Sequence, residues 1–130
     1  MKTISLSLIA VISLFVLNSC SKPTHDSVKE TEIELLEEVA EILESVEDES
    51  SAKAAAKKLD KVREQLEKLK KQKDELGEMS DEVKTELEKK YEKQQEQAEA
   101  NVLSAVIKLA PKKELTDILD PSMKALMEYK

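Results

Sequence analysis

Three kinds of side chain in this sequence could do chemistry: a thiol, an imidazole and many carboxylates. Cys20 is the only cysteine and His25 the only histidine, so no second Cys or His exists to complete a zinc site, and the place of His25 in a short polar stretch near the N-terminus argues against a catalytic triad. No feature marks one carboxylate for the burial that general acid catalysis requires. The sequence also lacks a glycine-rich phosphate loop and the ligand spacing of a calcium loop. It therefore predicts no enzyme activity, no cofactor and no metal site.

Cys20 stands just after an apolar run near the N-terminus. Lys2 supplies a positive start, and residues 4–17 form fourteen consecutive positions of predominantly apolar character. This length fits the apolar region of a secretory signal peptide and falls short of the about twenty residues that span a bilayer. A buried core helix over residues 4–17 is the alternative. In an exported protein, where thiols are usually paired, the single cysteine requires an explanation.

The residues Leu17-Asn18-Ser19-Cys20 resemble the lipobox of bacterial lipoproteins. In that family a peptidase cuts just before the cysteine, whose thiol carries a diacylglyceryl group, and the new amino terminus is often acylated as well. The resemblance implies cleavage between Ser19 and Cys20 and lipidation of Cys20, although Asn18 stands where the family usually has a small or aliphatic residue. Ser21, in place of an aspartate, resembles the outer-membrane default of Gram-negative lipoproteins.

The lipid would explain the lone cysteine, because a thioether cannot form a disulfide and two or three acyl chains anchor a protein stably. The alternative is ordinary signal-peptide cleavage after Ser21, which would release a chain that has no cysteine. The predicted organisation is a signal peptide at 1–19, a lipidated cysteine and tether at 20–26, and one helical domain at 27–130. His25 is interpreted as a solvated residue of the tether.

The composition predicts long helices. Charged residues make up 38% of the chain and aromatic residues 2%, with one glycine, which is typical of coiled coils and long helices. The net charge of −7, without basic–aromatic patches, argues against nucleic acid as a partner. Residues 26–50 carry a net charge of −10 and residues 52–76 one of +4, which favours packing of the first segment beside the second. The alternative is two solvated faces, because exposed ion pairs contribute only ~0–1 kcal/mol each.

Capping and periodicity place the predicted helices. Ser27 and Glu30 have capping-box spacing and predict a helix over 27–47, with an apolar stripe through Val28, Leu35, Val39, Ile42 and Val46. Ser51 is a good N-cap for a helix over 51–76, which carries a heptad seam interrupted by Lys73.

Gly77 and the prolines set the remaining boundaries. Gly77 can end the second helix in the left-handed conformation, and Ser80 caps a third helix over 80–110, which Pro111 stops. Two short helices, 112–119 and 121–129, are predicted to follow, the second beginning at Pro121.

These elements predict an all-α fold. It is a long antiparallel helical hairpin, coiled-coil-like, with the N-terminal helix and the short C-terminal helices packed at its base and the charged tip projecting. Residues 101–110 are apolar on nearly every side, so we expect more than one neighbour to bury them. The region from 47–59 to 103–110 also resembles short bacterial helical proteins of unassigned function, which implies a fold but no activity.

The sequence predicts a structural or adaptor component of the bacterial cell envelope. Its expected contacts are the membrane, through the N-terminal lipid, and a protein partner or a homo-oligomer, with no small-molecule substrate. The expected location is the outer membrane facing the periplasm if the host is Gram-negative. One alternative is a holdase that clasps unfolded chains with the hairpin. The other is a peptidoglycan-linked tether, because Lys130 after Tyr129 resembles the terminus of murein lipoproteins.

Overall fold

The structure is a computed structural model that describes residues 22–128. It contains four α-helices and no strand within that range: α1 is His25–Glu44, α2 is Glu49–Leu76, α3 is Asp81–Leu109 and α4 is Lys113–Met127. The prediction of an all-α fold is confirmed. The helices alternate with connections of three or four residues, which keep successive helices close in space.

The N-caps of α1 and α2 lie three residues earlier than the predicted Ser27 and Ser51, and both helices begin with a capping box. Thr24 is the N-cap of α1, and its N–H donates to Ser27 Oγ at 2.9 Å while the Ser27 N–H donates to Thr24 Oγ1 at 3.1 Å. Asp48 and Ser51 repeat this reciprocal pair at the start of α2. The two serines predicted to be N-caps are therefore the third residues of their helices, where a hydroxyl can close the box from the other side.

The turn between α2 and α3 lies at Gly77, as the sequence predicted, but the ψ of −168° places this residue outside the left-handed helical conformation. Gly77 has φ = 74°, a conformation that L side chains adopt at a cost, and its N–H donates to the carbonyls of Lys73 and Asp74. Ser80 caps α3, accepting the Val83 N–H at 3.4 Å. At the other end α3 stops at Leu109, just before Pro111.

The helix α1 holds the bundle together. It runs parallel to α3, because Asp26 pairs with Lys90 (2.7 Å between Oδ1 and Nζ) and Glu44 lies 3.8 Å from Lys108 Nζ. It runs antiparallel to α2, with Glu32 bonded to Lys73. The opposed charges of residues 26–50 and 52–76 therefore do lie on neighbouring helices.

The arrangement around the Gly77 turn differs from the prediction in one respect. The helices α2 and α3 flank the turn, but within the described residues no Cα of α2 comes within 8 Å of a Cα of α3, apart from near neighbours in sequence. Instead α3 packs on α1, α1 packs on α2, and α2 packs on α4. The helix α1 was predicted to pack only at the base of the hairpin, but its first turns reach the Gly77 turn. The end of the hairpin that was predicted to project is therefore flanked by α1.

The core has two parts because α1 buries two faces. The larger part joins Val28, Leu35 and Leu43 of α1 to the seam of α2, and also takes in Ala105 and Leu109 of α3 and Leu119 of α4. The smaller part packs Ile33 of α1 against α3 residues Leu87, Tyr91 and Ala98.

The last helix is continuous, whereas the sequence predicted two short helices with a break at Asp120-Pro121. α4 runs through Pro121, which lies on its exposed side. Apolar residues on both sides of the proline pack on the same core (Leu115, Ile118, Leu119, Met123 and Leu126), and this packing outweighs the missing backbone hydrogen bond. Ser122 is 7% exposed and donates to Asp60 Oδ1 of α2 at 2.9 Å.

Candidate functional site

The predicted modification sites lie at the two chain ends. Ser19 and Cys20, the predicted cleavage and lipidation sites, and Lys130, the predicted wall-linkage residue, fall outside the described residues 22–128. His25 was predicted to be a solvated tether residue, but it is the first residue of α1 and is half-buried. The first helix therefore begins two residues closer to Cys20 than the predicted start at Ser27.

The start of α1 lies beside the turn between α2 and α3. His25 and Val28 line a shallow depression together with Lys73 of α2, Met79 of the turn and Leu87 of α3. Lys73 is half-buried and bonds Glu32, which gives this charged residue of the seam a partner. A tether attached before Thr24 would thus leave the body at its Gly77 end.

The solvent-facing side of α1 forms an acidic ridge, defined here as Glu30, Glu34, Glu37, Glu38 and Glu41. Burial, together with the nearby carboxylates of Glu30 and Glu37, raises the pKa of Glu34. Burial and the Glu41 carboxylate raise the pKa of Glu38, and Lys58 of α2 partly opposes the rise. The ridge is therefore partly desolvated as well as internally repulsive, and both effects weaken when one member loses its charge.

The Glu34→Gln substitution is expected to stabilise the fold slightly at pH 7. Because the folded-state pKa of Glu34 is raised, the folded chain holds this proton more tightly than the unfolded chain, and stability attributable to Glu34 rises as the pH falls through that pKa. The gain from Gln should therefore shrink as the pH approaches 4. Thermal unfolding of the two proteins between pH 4 and 7 measures it.

Glu64→Gln is the matched control for this prediction, since Glu64 is exposed on α2, among basic residues. We expect it to be neutral or slightly destabilising at pH 7. An equal stabilisation by both substitutions would mean that the net charge of the chain, and not the crowding on α1, is responsible.

A second surface feature lies on α3. We define the outer face of α3 as Ala100, Leu103, Ile107 and Ala110, whose spacings of three and four residues place them on one side of the helix. Leu103 is 60% and Ile107 61% exposed, and Val106 beside them is 38% exposed. The prediction that more than one neighbour buries residues 101–110 holds on the core side, where Ala105 and Leu109 join a core with α1 and α4, but no described helix covers this side.

The α3 segment has two apolar faces, and the fold buries one of them. Ala98, Ala105 and Leu109 face the core, and no described helix covers the opposite side. The spacing of Ala100, Leu103, Ile107 and Ala110 was visible in the sequence as a second stripe. Which of the two stripes the fold leaves uncovered could not be predicted from this spacing.

Residues 22–128 contain no group of three His, Cys, Asp or Glu side chains placed to hold a metal ion. None of the helices in that range combines the length and apolar character needed to cross a bilayer.

The comparisons with known proteins give no match. No protein-family model, curated protein or solved structure is significantly similar to this chain.

Proposed function

We propose that this protein is an exported bacterial lipoprotein, anchored through Cys20, that acts in the cell envelope as a structural or adaptor protein by contacting other proteins. The observation that carries the proposal is the lipobox-like Leu17-Asn18-Ser19-Cys20 after the apolar run of residues 4–17. The acyl chains would supply the membrane affinity and the helices the binding surface.

The fold supports this arrangement through the position of its first residues. Thr24 caps α1 only four residues after Cys20, so a lipid on Cys20 would hold the Gly77 end of the body close to the bilayer. The longest helix, α3, has 29 residues and would extend about 43 Å at 1.5 Å per residue. Its outer face, near the end farther from the Gly77 turn, would then be displayed away from the membrane.

The two alternatives make different demands on the fold. A holdase needs apolar surface facing the inside of the hairpin, but α1 packs along both α2 and α3 there, and the exposed apolar residues lie on the outer face of α3. A wall-linked tether needs a covalent bond at Lys130. Extraction of cells with detergent alone, followed by measurement of the protein left in the cell wall, tests that linkage.

The Cys20→Ala variant tests the anchor. If Cys20 is lipidated, the wild-type protein fractionates with membranes, and its intact mass corresponds to a chain that begins at Cys20 with added acyl groups. The variant should lose both the acyl mass and cleavage before residue 20. The measurements are membrane fractionation and intact mass spectrometry of the protein purified from a bacterial host.

Ser27→Ala is the control, because it changes the capping box of α1 and leaves the lipobox-like residues intact. It should be lipidated and fractionate like the wild type. A wild-type mass that begins at Lys22 without acyl groups would instead establish ordinary cleavage after Ser21 and remove the anchor from the proposal.

A further inference from the structure

We propose that Pro23 and Thr24 form a helix stop that keeps α1 from running back to Cys20. The stop leaves the backbone around Cys20 open to the cleavage and acylation that the proposed function requires. Pro23 and Thr24 are positioning residues here, because they act on the conformation of the chain and touch no reacting atom. The inference rests on the proposed function and names the two residues that would prepare its modification site.

The hydrogen bonds of the first turn fix the start of α1. Thr24 has the extended backbone of an N-cap (φ = −123°, ψ = 160°), and its carbonyl accepts the Val28 N–H at 3.0 Å. The Ser27 hydroxyl donates to the same carbonyl at 3.0 Å, in addition to the two reciprocal bonds of the capping box. An earlier start would make Thr24 an interior residue and lose the box. Loss of such a cap shifts the equilibrium between two starts by about fivefold.

Pro23 limits how far back the helix can begin. A proline ring disfavours the α conformation of the residue before it, which here is Lys22, and both residues lie outside α1. The helix can therefore begin at Pro23 at the earliest. If Pro23 and Thr24 were both alanine, Ser21 would be the next residue upstream with a preferred N-cap side chain, and it adjoins Cys20.

Packing holds α1 in place along its axis. Val28, one turn into the helix, is 3% exposed, and Asp26 pairs with Lys90 of α3 at 2.7 Å. A longer α1 could not be accommodated by sliding without breaking these contacts. Any added turn would therefore have to form from the residues before Thr24, in the direction of Cys20.

A longer α1 would hinder the modification of Cys20 in two ways. Peptidases cleave exposed backbone that is free of stable hydrogen bonds more readily than the backbone of a helix. The four residue steps from Cys20 to Thr24 can also span up to about 14 Å when extended, but only about 6 Å as a helix. A helix capped by Ser21 would thus hold the sulfur close to the body and more than halve its reach toward the bilayer.

The test follows maturation of the full-length chain by pulse labelling in a bacterial host. In the Pro23→Ala/Thr24→Ala variant, the half-time of conversion from precursor to acylated mature chain should lengthen about two- to fivefold. Amide hydrogen exchange at His25 and Asp26 should slow, because a helix capped by Ser21 offers their N–H groups carbonyl acceptors. A variant that matures at the wild-type rate, or that gains no helical turn, overturns the inference.

Two further variants separate the helix stop from a general loss of stability. Pro23→Ala/Thr24→Asp keeps a preferred N-cap at residue 24 and should mature at close to the wild-type rate. Asp48→Ala removes the N-cap of a similar capping box at the start of α2. It should lower the unfolding temperature and still mature like the wild type. Equal slowing in Asp48→Ala and in the double alanine variant contradicts the inference.

The same experiment distinguishes failure of this inference from failure of the proposed function. A wild type that never gains acyl mass removes the proposed function, and the helix stop with it. An acylated wild type beside a double alanine variant that matures equally fast overturns the helix stop alone and leaves the anchor at Cys20 in place.

Discussion

The Leu43→Ala substitution should lower the free energy of unfolding by about 2–5 kcal/mol, the range of buried Leu→Ala changes that leave a cavity. Leu43 is 2% exposed and lies on α1, the helix that packs against both α2 and α3. Closing the cavity would require α1 to move relative to two helices, so we expect little relaxation. A loss of this size is a large part of the total stability of a small domain. Urea unfolding followed by circular dichroism measures the change.

Leu103→Ala is the matched control, because it removes the same atoms from a side chain that is 60% exposed. It should change the free energy of unfolding by less than about 0.5 kcal/mol. Similar losses for Leu43→Ala and Leu103→Ala would contradict the placement of α1 at the centre of the bundle.

The helix boundaries were predictable to within a few residues, and the errors have a common cause. Ser27 and Ser51 have the side chain and the spacing of N-caps, but Thr24 and Asp48, three residues earlier, can cap as well. In a capping box the side chains of both the N-cap and the N3 residue form hydrogen bonds. The sequence therefore indicates that a box is present more clearly than it shows which residue is the N-cap. Gly77 left no such ambiguity, because it is the only glycine of the chain and the one residue between 22 and 128 that has a positive φ.

The contacts between helices were harder to predict than the helices themselves. The stripe through Val28, Leu35 and Val39 predicts a single apolar face of α1, yet Ile33 and Leu36 form a second one. That second face packs on α3 and takes the place of direct packing between α2 and α3. Heptad spacing identifies an apolar seam but not the helix that packs against it. The neighbours of α1 could therefore be identified only from the structure.

The candidate functional features also differ in how well the sequence predicts them. Cys20 can be singled out from sequence because its chemistry depends on a short local motif, and its lipidation stays a prediction. The outer face of α3 could not be singled out, because Leu103 and Ile107 look the same in sequence as residues that the fold buries. Their exposure depends on where α1 and α4 lie, and α4 packs on α2 instead of covering them.

The Pro121→Ala substitution should raise the free energy of unfolding by about 1–3 kcal/mol. Pro121 is an interior residue of α4 and has no N–H to donate to the carbonyl of Asp117, four residues earlier. Alanine restores that hydrogen bond and removes the clash of the ring with the preceding turn, while the greater freedom of the unfolded chain offsets part of the gain. Urea unfolding measures the net change.

Pro111→Ala is the control, because Pro111 lies between α3 and α4, where no helical hydrogen bond is missing. It should be neutral or destabilise by less than about 1 kcal/mol, through the unfolded chain alone. A loss of stability in Pro121→Ala would show that the proline itself helps α4 to lay its apolar side chains on α2. The Ser122 hydroxyl, which donates to Asp60 Oδ1 at 2.9 Å one residue later, would then be a contact that Pro121 positions.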